Sequence, residues 1–204
     1  MRRRITRLRR IEKLSERTYE MVCKNSGLAS LDSLIQNRKS LPPLEERLGG
    51  AKMIMISGGS LFRLATEYLG FFEDMAKGGC AFQFVLVDPD SDAAVFVAKQ
   101  IVYEVENAKA YTANIRMAVA NLCSLKRKFP EQVEIRIVNY VPPFSLVVCD
   151  PQKKHGSILL ELYTLAVPTR ERPHFRIRKQ AEPHCFKFFW DQFEQLWKLA
   201  TPTS

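Results

Sequence analysis

Lys52-Met53-Ile54-Met55-Ile56-Ser57-Gly58-Gly59-Ser60 is a short apolar run that stops at two glycines set between serines. Its length and its abrupt end predict a buried strand followed by a tight turn. Downstream, Leu61, Leu64, Ala65, Tyr68, Phe72 and Met75 recur at three- and four-residue steps, the period of an amphipathic helix, until Gly78-Gly79 stops it. Cys80 to Val87 is a second buried-type strand, closed by Asp88-Pro89-Asp90-Ser91. Strand, helix and strand make a βαβ unit, and such units place ligands at the carboxyl edge of the sheet.

Working outward, Asp92 to Lys128 holds no Gly or Pro and keeps helical periodicity. Its length predicts two helices, or one broken near Tyr111-Thr112. Beyond Pro130 the period changes to two. Val133, Ile135 and Ile137 alternate with Glu134 and Arg136, while Phe144–Cys149 and Ile158–Tyr163 read as neighbouring central strands. Residues 170–178 alternate again, and Phe186, Phe189, Trp190, Phe193, Leu196 and Trp197 give a last helix an aromatic face. On the other side, Arg2 to Lys24 shows a narrow apolar stripe among charges, and Leu41-Pro42-Pro43 breaks the chain. The expected organisation is a basic helical arm over residues 1–48 and an α/β domain over 49–204, its mixed sheet flanked by helices on both faces.

Composition bounds the function. The 204 residues suffice for one medium domain with an extension, and the 46% apolar share supports a packed core. The formal charge of +9 is uneven: residues 1–47 carry 12 basic and 6 acidic side chains, so two thirds of the excess lies in the first quarter. Six arginines among the first ten residues suit a nucleic acid or an anionic surface, and the stripe Ile5, Leu8, Ile11 and Leu14 suits pairing with a second chain. The five scattered cysteines read as reduced core thiols of a cytoplasmic chain. No stretch approaches a membrane span, and the three histidines stand apart from any second metal ligand, so neither metal nor cofactor is expected.

The order of elements and one local pattern resemble the phospholipase D-like superfamily, whose mark is His-x-Lys-x4-Asp on a strand, then a Gly-Ser pair and an Asn or Glu. Here the matching stretch is Pro143-Phe144-Ser145-Leu146-Val147-Val148-Cys149-Asp150, followed by Gly156-Ser157 and Glu161. Asp150, Gly156 and Ser157 fit. Pro143 stands in the place of the nucleophilic His and Ser145 in that of the phosphate-binding Lys, and a Pro can neither attack phosphorus nor shuttle a proton. The resemblance implies a phospholipase D-like domain with no nucleophile, working as a homodimeric binding, sensing or regulatory module for a phosphate-bearing ligand. Its site would comprise Ser57, Gly58, Gly59, Ser60, Asp88, Ser145, Asp150 and Ser157.

Each assignment has a plainer alternative. Gly58-Gly59 could cradle a phosphate or simply make a tight turn with Ser60 as helix cap. Asp88 and Asp90 suit a ribose hydroxyl, a base amine or capping. Arg170, Arg172, His174, Arg176 and Arg178 fall at every second position, a basic stripe that could track phosphates or protect an edge strand. Two other functions stay open: a phosphodiesterase or nuclease using His155 or His174 in an altered site, and a nucleic-acid-binding protein using the arm and the stripe, with a nucleotide or nucleic acid as partner.

Overall fold

A computed structural model describes residues 36–100, 108–165 and 167–203. The chain divides into two compact units, Met1–Gln36 and Asn37–Ser204, and the second carries the architecture that follows. The expected arm helix over Arg2–Lys24 lies outside the described residues.

Hydrophobic periodicity becomes eight strands: β1 (Gln36–Asn37), β2 (Met53–Gly58), β3 (Ala81–Val87), β4 (Val133–Val138), β5 (Phe144–Cys149), β6 (Ser157–Leu162), β7 (Pro173–Arg178) and β8 (Thr201–Pro202). They form one sheet in the order β1-β7-β6-β5-β2-β3-β4-β8. β2, β3 and β4 run parallel, and β5, β6 and β7 are antiparallel neighbours added beside β2. Parallel neighbours need crossovers, which helices supply, whereas antiparallel ones need only turns. The sheet is therefore mixed, as expected.

One face carries Ile54, Ile56, Phe82, Phe84, Leu86, Val133 and Ile135. It is covered by α1 (Leu44–Leu48), α2 (Phe62–Glu67), α3 (Leu69–Lys77) and α5 (Ala108–Lys128). Phe72 anchors this layer edge-on against Phe82 and Phe84, at 5.4 and 5.7 Å between ring centroids. The opposite face, with Met55, Val85, Leu146, Val148, Ile158 and Leu160, is sealed by the aromatic helix α6 (Pro183–Leu199) through Phe186 and Phe193. Arg136 reaches across to α6, its guanidinium 4.2 Å from the Trp197 ring centroid and donating 2.9 Å to the Trp197 carbonyl. Burying aromatic area of this kind dominates core energetics. α4 (Asp92–Gln100) packs on α5 through Val97 and Ile115.

Two sequence expectations change. Residues 44–48 belong to the domain rather than to an arm ending at 48, because Leu44 and Leu48 are each 2% exposed within its core. The helix expected over Leu61–Met75 is two helices meeting at Tyr68. Thr66 Oγ1 donates back to the Phe62 carbonyl at 2.8 Å, a bond that bends helices, and Asn121 of α5 donates to the Ala65 carbonyl at 3.1 Å. The stretch Asp92–Lys128 holds two described helices, α4 and α5, the first of the two expected alternatives, and α5 runs unbroken through Tyr111-Thr112.

Candidate ligand-binding cleft

Face alternation turns the antiparallel strands into rows. Ser145 of β5 lies opposite Glu161 of β6, which lies opposite His174 of β7. The next row is Ile56, Val147, Leu159 and Arg176, and the one beyond is Ile54, Cys149, Ser157 and Arg178. All share the face that carries α1, α2, α3 and α5. Among the described residues, the cover over β5–β7 is the 3-10 turn Arg38–Ser40 and the five-residue α1, too short to fill the layer. A cleft of about 640 Å³ remains at the carboxyl end of β2, with Ile56, Val147 and Leu159 at its floor. Its volume is that of a small-molecule site.

Among the described residues, five arginines line it, Arg38, Arg47, Arg63, Arg170 and Arg172, against one carboxylate, Glu161. Glu161 is 3% exposed. It accepts from Arg38 Nε and Nη2 at 2.9 and 2.6 Å, and Arg172 Nη1 stands 3.9 Å away. A buried carboxylate between guanidiniums is the arrangement that makes burial of charge tolerable. Arg172 also lies over the Tyr163 ring, 5.4 Å from its centroid. Arg47 is different. It donates to the Pro42 carbonyl at 3.0 Å, has no carboxylate partner among the described residues, and is pushed down from the ordinary arginine range by burial and by the like charge of Arg38.

The Gly58-Gly59 turn does not offer its amides as a phosphate cradle. Gly59 N–H donates to Tyr163 Oη at 2.6 Å, and burial pushes the Tyr163 phenol up to about 12 despite that bond. A side chain at Gly59 would collide with Tyr111 Oη, and one at Gly58 would meet Leu61 at 2.7 Å and Tyr163 Oη at 3.1 Å. The glycines are there to let two tyrosines approach. Ser60 Oγ accepts from Phe62 N–H at 3.4 Å, and Leu61 enters α2 in the left-handed region at φ 49°. Such backbone strain in a residue with a side chain is stored where the surroundings over-determine it.

Of the residues singled out in the sequence, Ser57, Gly59, Ser60 and Ser145 line the cleft, as do Glu161 and the stripe's Arg170 and Arg172. Gly58, Asp88, Asp150 and Ser157 are not among its lining residues. Asp88 Oδ1 accepts from Asp90 N–H at 2.9 Å, the capping alternative, and Asp90 pairs with Arg116. Because β5 runs antiparallel to β2, Asp150 at the end of β5 sits at the start of β2, away from Ser57. There its Oδ1 accepts from Lys52 N–H at 2.9 Å and Met53 N–H at 3.0 Å, while Lys153 Nζ donates to Oδ2 at 2.8 Å. Burial raises the Asp150 carboxyl, but these donors outweigh it and hold the group below the usual carboxylate range. His155, three-quarters exposed, stands 3.9 Å from Asp150 Oδ2. Ser157 lines a second, small pocket of about 50 Å³ with Arg47, Arg176 and Arg178.

The basic stripe is not uniform. Arg176 and Arg178 are exposed, whereas Arg172 is 5% exposed and His174 is fully buried. Phe175 and Ile177 turn to the opposite core, as alternation requires. β7 is not the edge either, since β1 follows it in the sheet. Neither ring nitrogen of His174 has a hydrogen-bond partner among the described residues. Burial lowers its pKa, and Arg47, Arg38 and Arg176 lower it further, so the ring is neutral near pH 7. Sequence reasoning missed Arg38, Arg47 and Tyr163. The two arginines lay in the stretch read as an arm, and Tyr163 read only as the end of an apolar run.

Among the described residues no three His, Cys, Asp or Glu side chains converge as metal ligands, and no helix is long and apolar enough to cross a membrane. No family model and no curated protein matches the chain. Among solved structures it is similar to TrmBL2, an archaeal chromatin protein whose structure shows a novel mode of DNA binding. The two share 13% identity at a TM-score of 0.52, over 98% of this chain and 66% of that one. The chain thus spans just under two thirds of that protein's length. At this identity the likeness is one of fold.

Proposed function

We propose that this chain binds nucleic acid. The observation that carries the reading is the likeness of nearly the whole chain to a protein whose structure shows DNA binding, joined to a charge of +9 concentrated in residues 1–47. Exposed Arg176 and Arg178 add to the cationic surface. Neutralising phosphates releases counterions, so affinity must fall with salt. In electrophoretic shifts of the full chain on duplex DNA, about four phosphate contacts weaken binding about a hundredfold between about 50 and 200 mM salt. Affinity that does not change with salt, or no shift at all, overturns the proposal.

A second reading concerns the α/β unit. The order of β2 to β7 and the Asp150, Gly156, Ser157 pattern support a phospholipase D-like domain that binds a phosphate-bearing ligand without cleaving it, with the arm pairing two chains. Pro143 is exposed at the entry to β5, and Ser145 faces the cleft where the family's lysine would stand. The purified protein is expected to leave bis-p-nitrophenyl phosphate intact. Turnover lost on His155→Ala or His174→Ala would instead make it a phosphodiesterase with an altered site.

A further inference from the structure

Arg47 is a half-buried cation with no carboxylate partner among the described residues, and beside it stands His174, fully buried with neither ring nitrogen hydrogen-bonded among those residues. Arg47 lines both pockets, the larger cleft on one side and the small one with Arg176 on the other. Arg38, also nearby, is engaged with Glu161, but Arg47 and Arg176 have no carboxylate partner among the described residues. Arg178 lines the same small pocket, and like charges gathered around half-buried Arg47, Arg176 among them, are costly where that guanidinium is desolvated. An anion among them removes that cost, and a dianion answers several guanidiniums better than a carboxylate does.

We propose that this face is a binding site for a small phosphomonoester, its phosphate held by Arg47 and Arg176 and its organic body lying in the cleft beside Ser145 and Tyr163. The body has room, since the cleft is of ordinary ligand size and its floor is apolar. The small pocket, at about 50 Å³, suits a head group rather than a whole molecule. The phosphate is thereby placed at arginines contributed by α1 and β7, not at the glycine turn, whose Gly59 N–H is already taken by Tyr163. His174 lies in the row next to Arg176 and close enough to Arg47 and Arg38 to feel their charge. Its ring therefore reports on any anion bound there. The site rests on the second reading above, to which it gives a place and a ligand class, and it does not require nucleic-acid binding, although Arg176 belongs to both surfaces.

The test uses the full chain without DNA. Ribose 5-phosphate, inorganic phosphate and ribose are titrated by calorimetry, and the ring signals of the three histidines are followed by NMR. Ribose 5-phosphate is expected to bind more tightly than inorganic phosphate, with ribose inert to about 10 mM. The His174 signals should move while those of exposed His155 and His184 stay. Arg47→Gln should weaken binding about tenfold or more and Arg176→Gln by a smaller factor, with Arg47→Lys recovering part of the loss. Circular dichroism checks that the variants fold, and a misfolded Arg47→Gln leaves Arg176→Gln, at an exposed position, to decide. Ribose binding as well as its phosphate, His174 signals that do not move, or full affinity in both glutamine variants would each overturn the proposal.

Discussion

Asp150 shows how much one side chain can hold. It sits at φ 45°, a conformation in which Asp and Asn are enriched, and from there its carboxylate caps the amides of Lys52 and Met53 at the entry to β2 and binds Lys153. Asp150→Asn keeps the backbone preference and loses the charge, which should cost about 1–2 kcal/mol at pH 7, and Asp150→Ala should cost more. The linkage has a definite sign. The folded pKa lies below the unfolded value of about 3.9, so the stabilisation is present above that value and is lost as pH falls through the depressed one. Urea titrations of both proteins at neutral and acid pH should therefore converge toward low pH; a gap that stays constant refutes the assignment. The Asp at this position was legible in the sequence as part of a pattern, but its use was not. Only the antiparallel register of β5 on β2 takes it away from Ser57.

At the scale of elements, the strands were the most legible, because burial on both faces leaves near-continuous apolar runs that little else produces. The β2–α2 turn was legible as a turn and misleading as a site. Two glycines look alike whether they admit a phosphate or a pair of tyrosines, and the tyrosines come from residues 111 and 163, far along the chain. Gly59→Ala should force Tyr111 aside and cost about 1–3 kcal/mol, an overpacking penalty, read as a lowered urea midpoint. An unchanged midpoint would mean that the tyrosines yield freely. The helix break at Tyr68 escaped notice for a different reason: hydrophobic periodicity continues across it, and the bond from Thr66 to the Phe62 carbonyl leaves no mark on that period.

For the molecule as a whole, the three clusters of buried side chains among the described residues all lie in the unit Asn37–Ser204. Residues 37–204 alone should accordingly unfold in a single cooperative urea transition. Sedimentation beside the full chain then tests the arm: a dimer that becomes monomeric on removal of residues 1–36 assigns pairing to it, and equal masses do not. Charge was legible only as a sum and a gradient along the chain, because the partners that neutralise it are remote in sequence, Arg38 and Glu161 being 123 residues apart. The layering of the sheet has an optical consequence. Both tryptophans ride on α6, packed against the face away from the cleft. The protein's intrinsic fluorescence thus originates on one side of a solid wall of strands while ligand would arrive on the other, so a steady emission spectrum during titration says nothing against occupancy, and a label placed near Arg47 would see what the indoles cannot.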